Sequence, residues 1–296
     1  MKISNLEHHY VNTNDITLHV VQAGPAAGEV VVLLHGFPEF WYGWRHQIPF
    51  LAEAGYRVWA PDQRGYNLSD RPRAVGAYNL DLLAADVAGL IEASGRERVY
   101  VVGHDWGAAV AWWVALKYPE LLKKLVILNV PHPVVMKRYA RTHFRQMLKS
   151  WYILFFQLPW LPERLLGEDG FEVATEMLKA TSRQGSFSEA ELAQYRRAWD
   201  RPHALRGMIN WYRALFRTPQ TERMDSLRVT VPTLIIWGRH DVALEWEMAR
   251  LSLEMCDDGH LETLEEATHW VQHDEPHRVN ELIQGFLAGE PFESAT

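Results

Sequence analysis

The chain has 296 residues, 48% of them hydrophobic and 23% charged, which excludes wholesale disorder and suits one large globular α/β domain with room for an inserted unit. A formal net charge of −7 excludes a general attraction to nucleic acid or to anionic lipid. The single cysteine, Cys256, excludes an intrachain disulfide and a thiolate zinc cluster, and it favours a reducing cytoplasm.

Met1 to Leu6 lacks the apolar segment of a secretory leader. His8-His9 reads as polar N-terminal chain. Ile16 to Gln22 predicts an early strand that turns at Gly24-Pro25. The apolar run Glu29 to Leu34 predicts a strand buried on both faces, as do Tyr56 to Ala60, Val99 to Val102 and Leu125 to Leu128. Asn79 to Ala93 has helical spacing, with Leu83, Val87, Leu90 and Ile91 on one face, and stops at Gly95. Gly107 to Tyr118 predicts a second helix, ended by Pro119. From about Val134 to Arg223 the strand pattern disappears, and helical segments rich in aromatics and Arg take over. The run Trp151 to Trp160 spans only about half a membrane and contains Gln157 and Pro159, so no membrane-spanning helix is expected. It is apolar enough to seal an inserted unit onto the rest or to face an apolar substrate. The alternation resumes with Thr233 to Trp237 (strand), Leu244 to Met255 (helix), Leu261 to Leu264 (strand) and Arg278 to Leu287 (helix). This order predicts an α/β fold with a parallel sheet, residues 1–131 and 225–296 forming the core and 132–224 a helical insertion.

The strand Val99 to Val102 runs directly into Gly103-His104-Asp105-Trp106-Gly107, followed by a helix. Small residues two positions either side of a central residue permit the tight, strained turn of a nucleophile elbow. An ordinary strand–turn–helix would read similarly, whereas a dinucleotide turn would need a further glycine. His35-Gly36-Phe37-Pro38 follows the earlier buried strand. Where such an elbow is present, this loop supplies one amide of an oxyanion hole and the residue after the nucleophile supplies the other, here Phe37 and Trp106. A cis Phe37–Pro38 bond would suit so tight a loop. Asp241 in Gly238-Arg239-His240-Asp241 and His269 in Ala267-Thr268-His269-Trp270 both follow strand ends. Asp105, Asp241 and His269 thus occur in the order nucleophile, acid, base. His269 and His273 have a zinc-like i, i+4 spacing, but the glutamate of a zincin is missing and no third ligand suggests itself.

On His35-Gly36-Phe37-Pro38-Glu39-Phe40-Trp41, Asp62-Gln63-Arg64-Gly65-Tyr66, Gly103-His104-Asp105-Trp106-Gly107 and Thr268-His269-Trp270-Val271-Gln272, nearly the whole chain resembles the α/β-hydrolase-fold epoxide hydrolases. Parts of these motifs are shared with dehalogenases. The resemblance implies an α/β-hydrolase fold, with a mostly parallel eight-stranded sheet flanked by helices and a helical cap. It also implies two cap tyrosines directed at the epoxide oxygen, and Tyr152 in Ser150 to Gln157 and Tyr212 in Asn210-Trp211-Tyr212-Arg213 match those sites. Thr268 departs from many relatives, which carry Gly before the corresponding His.

The chemistry fits these residue types. An aspartate with an ordinary pKa near 4 is ionised at neutral pH and attacks carbon without help from a base. His269, oriented by Asp241, would then activate water against the resulting ester, and the Phe37 and Trp106 amides would hold the oxyanion. Phenols are protonated at neutral pH and can donate to a departing alkoxide. Phe37, Pro38, Trp106 and Phe156 are the expected substrate contacts. The expectation is a cofactor-free and metal-free enzyme that turns an apolar epoxide and water into a vicinal diol, acting as a monomer or homodimer without nucleic-acid or membrane partners. The alternatives are a haloalkane or haloacetate dehalogenase with the same Asp-His-Asp set, and a non-enzymatic ligand receptor on the same fold.

Overall fold

The computed structural model describes residues 6–218 and 227–291. Eight strands form one sheet: β1 (Glu7–Thr13), β2 (Ile16–Ala23), β3 (Val30–Leu34), β4 (Arg57–Pro61), β5 (Val99–His104), β6 (Leu122–Leu128), β7 (Thr233–Gly238) and β8 (Gly259–Leu264). Their spatial order is β1-β2-β4-β3-β5-β6-β7-β8. The pairs β1–β2 and β2–β4 are antiparallel, and every other pair is parallel.

The apolar runs become central strands because both of their faces are covered. Val30, Val32 and Leu34 alternate with Val31 and Leu33 between two separate apolar layers, and Val99 and Val101 alternate likewise with Tyr100 and Val102. One layer is completed by the helices Leu80–Ala93 and Trp106–Lys117, the other by Gln47–Glu53 and Pro276–Ala288. Asn79 caps the first of these helices by accepting a hydrogen bond from the Leu82 amide at 3.0 Å.

The expected polar N-terminal chain is instead an edge strand. His8 and His9 lie in β1, where Glu7 to Thr13 pairs with Ile16 to Gln22. Its residues are mostly exposed, so the strand carries no apolar alternation to betray it. Between β6 and β7 the described residues form helices, from Pro133–Thr142 to Ala204–Arg217, and then an isolated parallel bridge of Val229 with Cys256. The expected return to the core at 224/225 lies outside the described residues.

The sheet order reverses direction at β3, since β4 lies on one side of it and β5 on the other. The carboxyl ends of β3 and β5 therefore flank a crevice, the place where parallel α/β sheets bind ligands. The His35–Pro38 loop and Asp105 both sit there.

Candidate active site

Asp105 lies between β5 and the helix Trp106–Lys117 with φ 49° and ψ −123°, a strained backbone for a residue with a side chain. The flanking glycines make the turn possible. A Cβ on Gly107 would stand 2.0 Å from the Leu34 carbonyl oxygen, and one on Gly103 would stand 2.5 Å from the Gly107 oxygen. Gly36 brings the neighbouring loop equally close, since a Cβ there would meet the Asp105 Cβ at 2.4 Å. The loop is anchored by buried His35, whose Nε2 accepts from the Gln63 amide (3.0 Å) while Nδ1 donates to the Gly36 oxygen (3.0 Å). The Phe37–Pro38 peptide is cis.

These contacts leave the Asp105 carboxylate with two distinct oxygens. Oδ1 accepts from the Phe37 amide at 2.7 Å, and Oδ2 lies 3.4 Å from His269 Nε2. On the far side of the imidazole, His269 Nδ1 meets Asp241 Oδ2 at 2.8 Å. The other oxygen of Asp241 accepts from the amides of Ala243 (2.7 Å) and Leu244 (2.9 Å). The Trp106 amide opens its helix, so helical geometry leaves it without an upstream carbonyl.

A cavity of about 270 Å³ opens over Asp105 and is lined by Trp106, Tyr152, Ile153, Tyr212, Leu215 and Leu244 among others. The two tyrosine rings are 5.9 Å apart, centre to centre. Of the expected substrate contacts, Trp106 lines this cavity, while Phe37 and Phe156 pack on the Tyr212 ring at 5.2 and 4.8 Å. Pro38 faces the helix Glu189–Trp199, its carbonyl accepting from the Trp199 indole at 2.6 Å. A larger cavity of about 600 Å³ runs past Trp160, Trp199 and Asn210 and does not reach Asp105.

Burial opposes the charged form of each central group, and the neighbours decide the outcome. For His269, burial is outweighed by the negative charge of Asp241 and the hydrogen bonds to both carboxylates, so its pKa rises from 6.5 to about 10. For Asp241, burial is outweighed by the charge and hydrogen bond of His269, and its pKa is lowered. Burial and the negative charge of Asp105 both push the Tyr152 and Tyr212 hydroxyls upward, so both phenols are held protonated.

Comparison with known proteins agrees with this geometry. The family described as the α/β hydrolase fold matches residues 29–276. The AB hydrolase superfamily protein YfhM of Bacillus subtilis is 46% identical over 281 residues, covering 95% of this chain and 98% of the relative. Epoxide hydrolase 4 of Homo sapiens is 40% identical, covering 96% of this chain and 79% of the relative. The crystal structure of epoxide hydrolase A from Mycobacterium thermoresistibile superposes with a TM-score of 0.87 at 32% identity, covering 98% of this chain and all (100%) of that one. The chain belongs to the α/β-hydrolase fold family, in its epoxide hydrolase branch.

In this member of the epoxide hydrolase branch, several supporting residues escaped the sequence reading. Asn129 follows β6 at φ 54° and donates from Nδ2 to Asp241 Oδ2 at 2.8 Å, while its Oδ1 accepts from the Gly238 amide at 3.2 Å. An Asn directly after a fully apolar strand end was the available signal, because Asn tolerates the left-handed region. His104 donates from Nε2 to the His269 carbonyl oxygen at 2.8 Å. Behind it, buried Glu39 holds His273 Nε2 at 2.7 Å and accepts from the Tyr195 hydroxyl at 2.7 Å. His273 therefore faces Glu39 and Arg45, whereas His269 faces the two aspartates. Thr268 also has a partner. Its amide and hydroxyl both donate to Asp274 Oδ2, at 2.8 and 2.5 Å, so the segment before His269 is tied down by a side chain that Gly would lack.

Proposed function

We propose that this chain converts an epoxide and water to a vicinal diol through an alkyl ester on Asp105. The observation that carries the reading is the asymmetry of that carboxylate, Oδ1 on the Phe37 amide and Oδ2 facing His269, beneath a tyrosine-lined cavity. Oδ2 attacks an epoxide carbon, the ring C–O bond breaks, and the oxygen takes a proton from Tyr152 or Tyr212. The His269 imidazolium then returns a proton to the phenolate through solvent, and water loses a proton to the neutral imidazole and attacks the ester carbonyl carbon. The oxyanion forms on Oδ1, where the amides of Phe37 and Trp106 stabilise it. The ester bond breaks, the departing alkoxide takes the proton of the newly formed carboxyl group, the diol leaves, and Asp105 is left as the carboxylate and His269 as the imidazolium.

The raised pKa of His269 supports this order of events. The resting imidazole is held charged partly by Asp105. Alkylation neutralises Asp105 and removes that contribution, so the imidazole gives up its proton more readily once there is an ester to hydrolyse. The two protonated phenols favour an epoxide over a halide, because a departing alkoxide needs a proton and a halide does not. Phe37, Pro38, Trp106 and Phe156 shape the substrate's surroundings, and residues 132–224 act as a lid over a core of 1–131 and 225–296.

The test is the covalent intermediate. The His269→Gln protein, mixed with an aryl epoxide that the wild type turns over, is expected to gain the mass of one whole substrate molecule. Loss of a general base slows release by about 10²–10⁴-fold, long enough for the ester to accumulate. Peptide mapping should place the adduct on Asp105, and Asp105→Ala should remove it. A haloalkane would instead add its mass less the halide. Turnover by wild type with no adduct in the variant would replace the ester by direct attack of water on the epoxide.

A further inference from the structure

The helical segment over the cavity contains a stretch with inverted amphipathicity. The helices Phe144–Lys149 and Trp151–Phe155 are joined by Ser150 in near-helical conformation, with φ −86° and ψ 10°. Phe144, Met147, Leu148, Trp151 and Leu154 recur at helical spacing and form one face. That face points outward: Phe144 is 70% exposed, Trp151 64% and Leu154 66%. The polar Gln146 points inward and is fully buried, donating to the Ala243 carbonyl (2.9 Å) and accepting from the Glu245 amide (3.0 Å). A helix shaped by folding alone buries its Phe and Trp and exposes its Gln. A contiguous exposed apolar face of this kind marks an interaction surface.

Charge identifies the occupant. From His132 to Pro162 the chain has no Asp or Glu, but it carries Lys137, Arg138, Arg141, Arg145 and Lys149, in a protein whose net charge is −7. Lys137, Arg138, Arg141 and Arg145 are exposed on the same helices or directly preceding them. A second copy of the chain docked face to face would set these cations against themselves. We propose that this face seats on an anionic lipid surface, with the apolar side chains entering the interface and the cations meeting the headgroups. Among the described residues no helix is long and apolar enough to cross a membrane, so the attachment is peripheral. Lys137, one of these exposed cations, also lines the cavity over Asp105, which ties the cavity's rim to the basic segment. The docking stands independently of what the cavity binds.

The experiment is flotation of the full chain with vesicles of phosphatidylcholine, with and without phosphatidylglycerol, at low and high salt. Binding is expected only with phosphatidylglycerol, and it should weaken as salt rises. Trp151→Ser with Leu154→Ser should weaken it roughly tenfold per residue. Arg141→Glu with Arg145→Glu should weaken it by at least about fivefold per cation. All four side chains are exposed, so melting curves should stay unchanged. Absence of flotation, equal binding to neutral vesicles, or undiminished binding by the Trp151/Leu154 variant would overturn the proposal. So would a dimer in sedimentation velocity that these substitutions dissolve, since a second copy would then be the occupant.

Discussion

Asn129 donates its 2.8 Å hydrogen bond to the same Asp241 oxygen that holds His269. Oδ2 of Asp241 is therefore fixed from two directions, and the imidazole inherits that orientation. Because Asn129 also sits at φ 54°, its side chain and its backbone make separable contributions. Asn129→Gly removes the side chain and relieves the left-handed backbone, whereas Asn129→Ala removes the amide but keeps a Cβ in the left-handed region at about 1–2 kcal/mol. Both variants should slow ester hydrolysis by roughly tenfold, the worth of one hydrogen bond to a charged group. In urea unfolding, Ala should be less stable than Gly by about 1 kcal/mol. Equal stability of the two would remove the backbone part of this account.

Stability should depend on pH through His269. Its pKa in the fold is raised from 6.5 to about 10. A raised value means that the folded state holds the proton more tightly, so the stabilisation is complete below pH 6.5 and is lost as pH climbs toward 10. In that window the slope approaches about 1.4 kcal/mol per pH unit. His269→Gln should be flatter over the same range. Asp241 behaves in the opposite sense: its pKa is lowered, so its contribution holds above the ordinary 3.8 and is lost as pH falls through the folded value. Urea titrations at a series of pH values, wild type beside His269→Gln, provide the check, and identical slopes would count against the assignment.

The tyrosine pair should act on the first chemical step alone. Either Tyr152→Phe or Tyr212→Phe should slow epoxide opening, and the double change should come close to abolishing it, given about 10²–10⁴-fold for general-acid help. Single-turnover measurements should show ester formation slowed and ester hydrolysis little changed. A double variant that alkylated Asp105 at the wild-type rate would reduce both residues to packing against Phe37, Phe156 and Trp106.

Gly36 should be irreplaceable for activity. An added Cβ would meet Asp105 Cβ at 2.4 Å and Oδ1 at 2.6 Å, so Gly36→Ala must push either the loop or the carboxylate aside. A displacement of about 1 Å at a reacting group typically costs about 10²-fold in rate. Adduct formation with the aryl epoxide is the sensitive readout, and near-normal alkylation by Gly36→Ala would contradict the close fit.

What the sequence made legible is what burial writes into it. Val30 to Leu34 and Val99 to Val102 are covered on both faces, so their strands announce themselves as apolar runs. Asp105 and Asp241 could be located because each closely follows such a run, and His269 because it follows the end of the shorter, half-buried β8. β1 left no such trace, being an exposed edge strand of polar residues. Asn129, His104 and Glu39 work through hydrogen bonds between segments far apart in the chain, and no local spacing encodes a partner. The run from Trp151 to Trp160 was legible as apolar, but not that Trp151, Leu154 and Trp160 face outward while Tyr152 and Phe156 face inward. Direction depends on which side of the helix Gln146 can satisfy, and that requires Ala243 and Glu245 to be in place.

β6 and β7 are hydrogen-bonded neighbours, with Leu125 to Leu128 in register with Thr233 to Ile236. Everything between them is thus one excursion whose two feet are clamped together by the sheet. Closing such an excursion costs little more when it is longer, about 0.6 kcal/mol for each doubling of length. The sheet can therefore accept a different excursion, larger or smaller, while Asp105, Asp241 and His269 keep their positions. In a lineage built this way, the lining of the cavity and the exposed helical face can be rewritten by exchanging one continuous stretch of gene, without disturbing Asp105, Asp241 and His269.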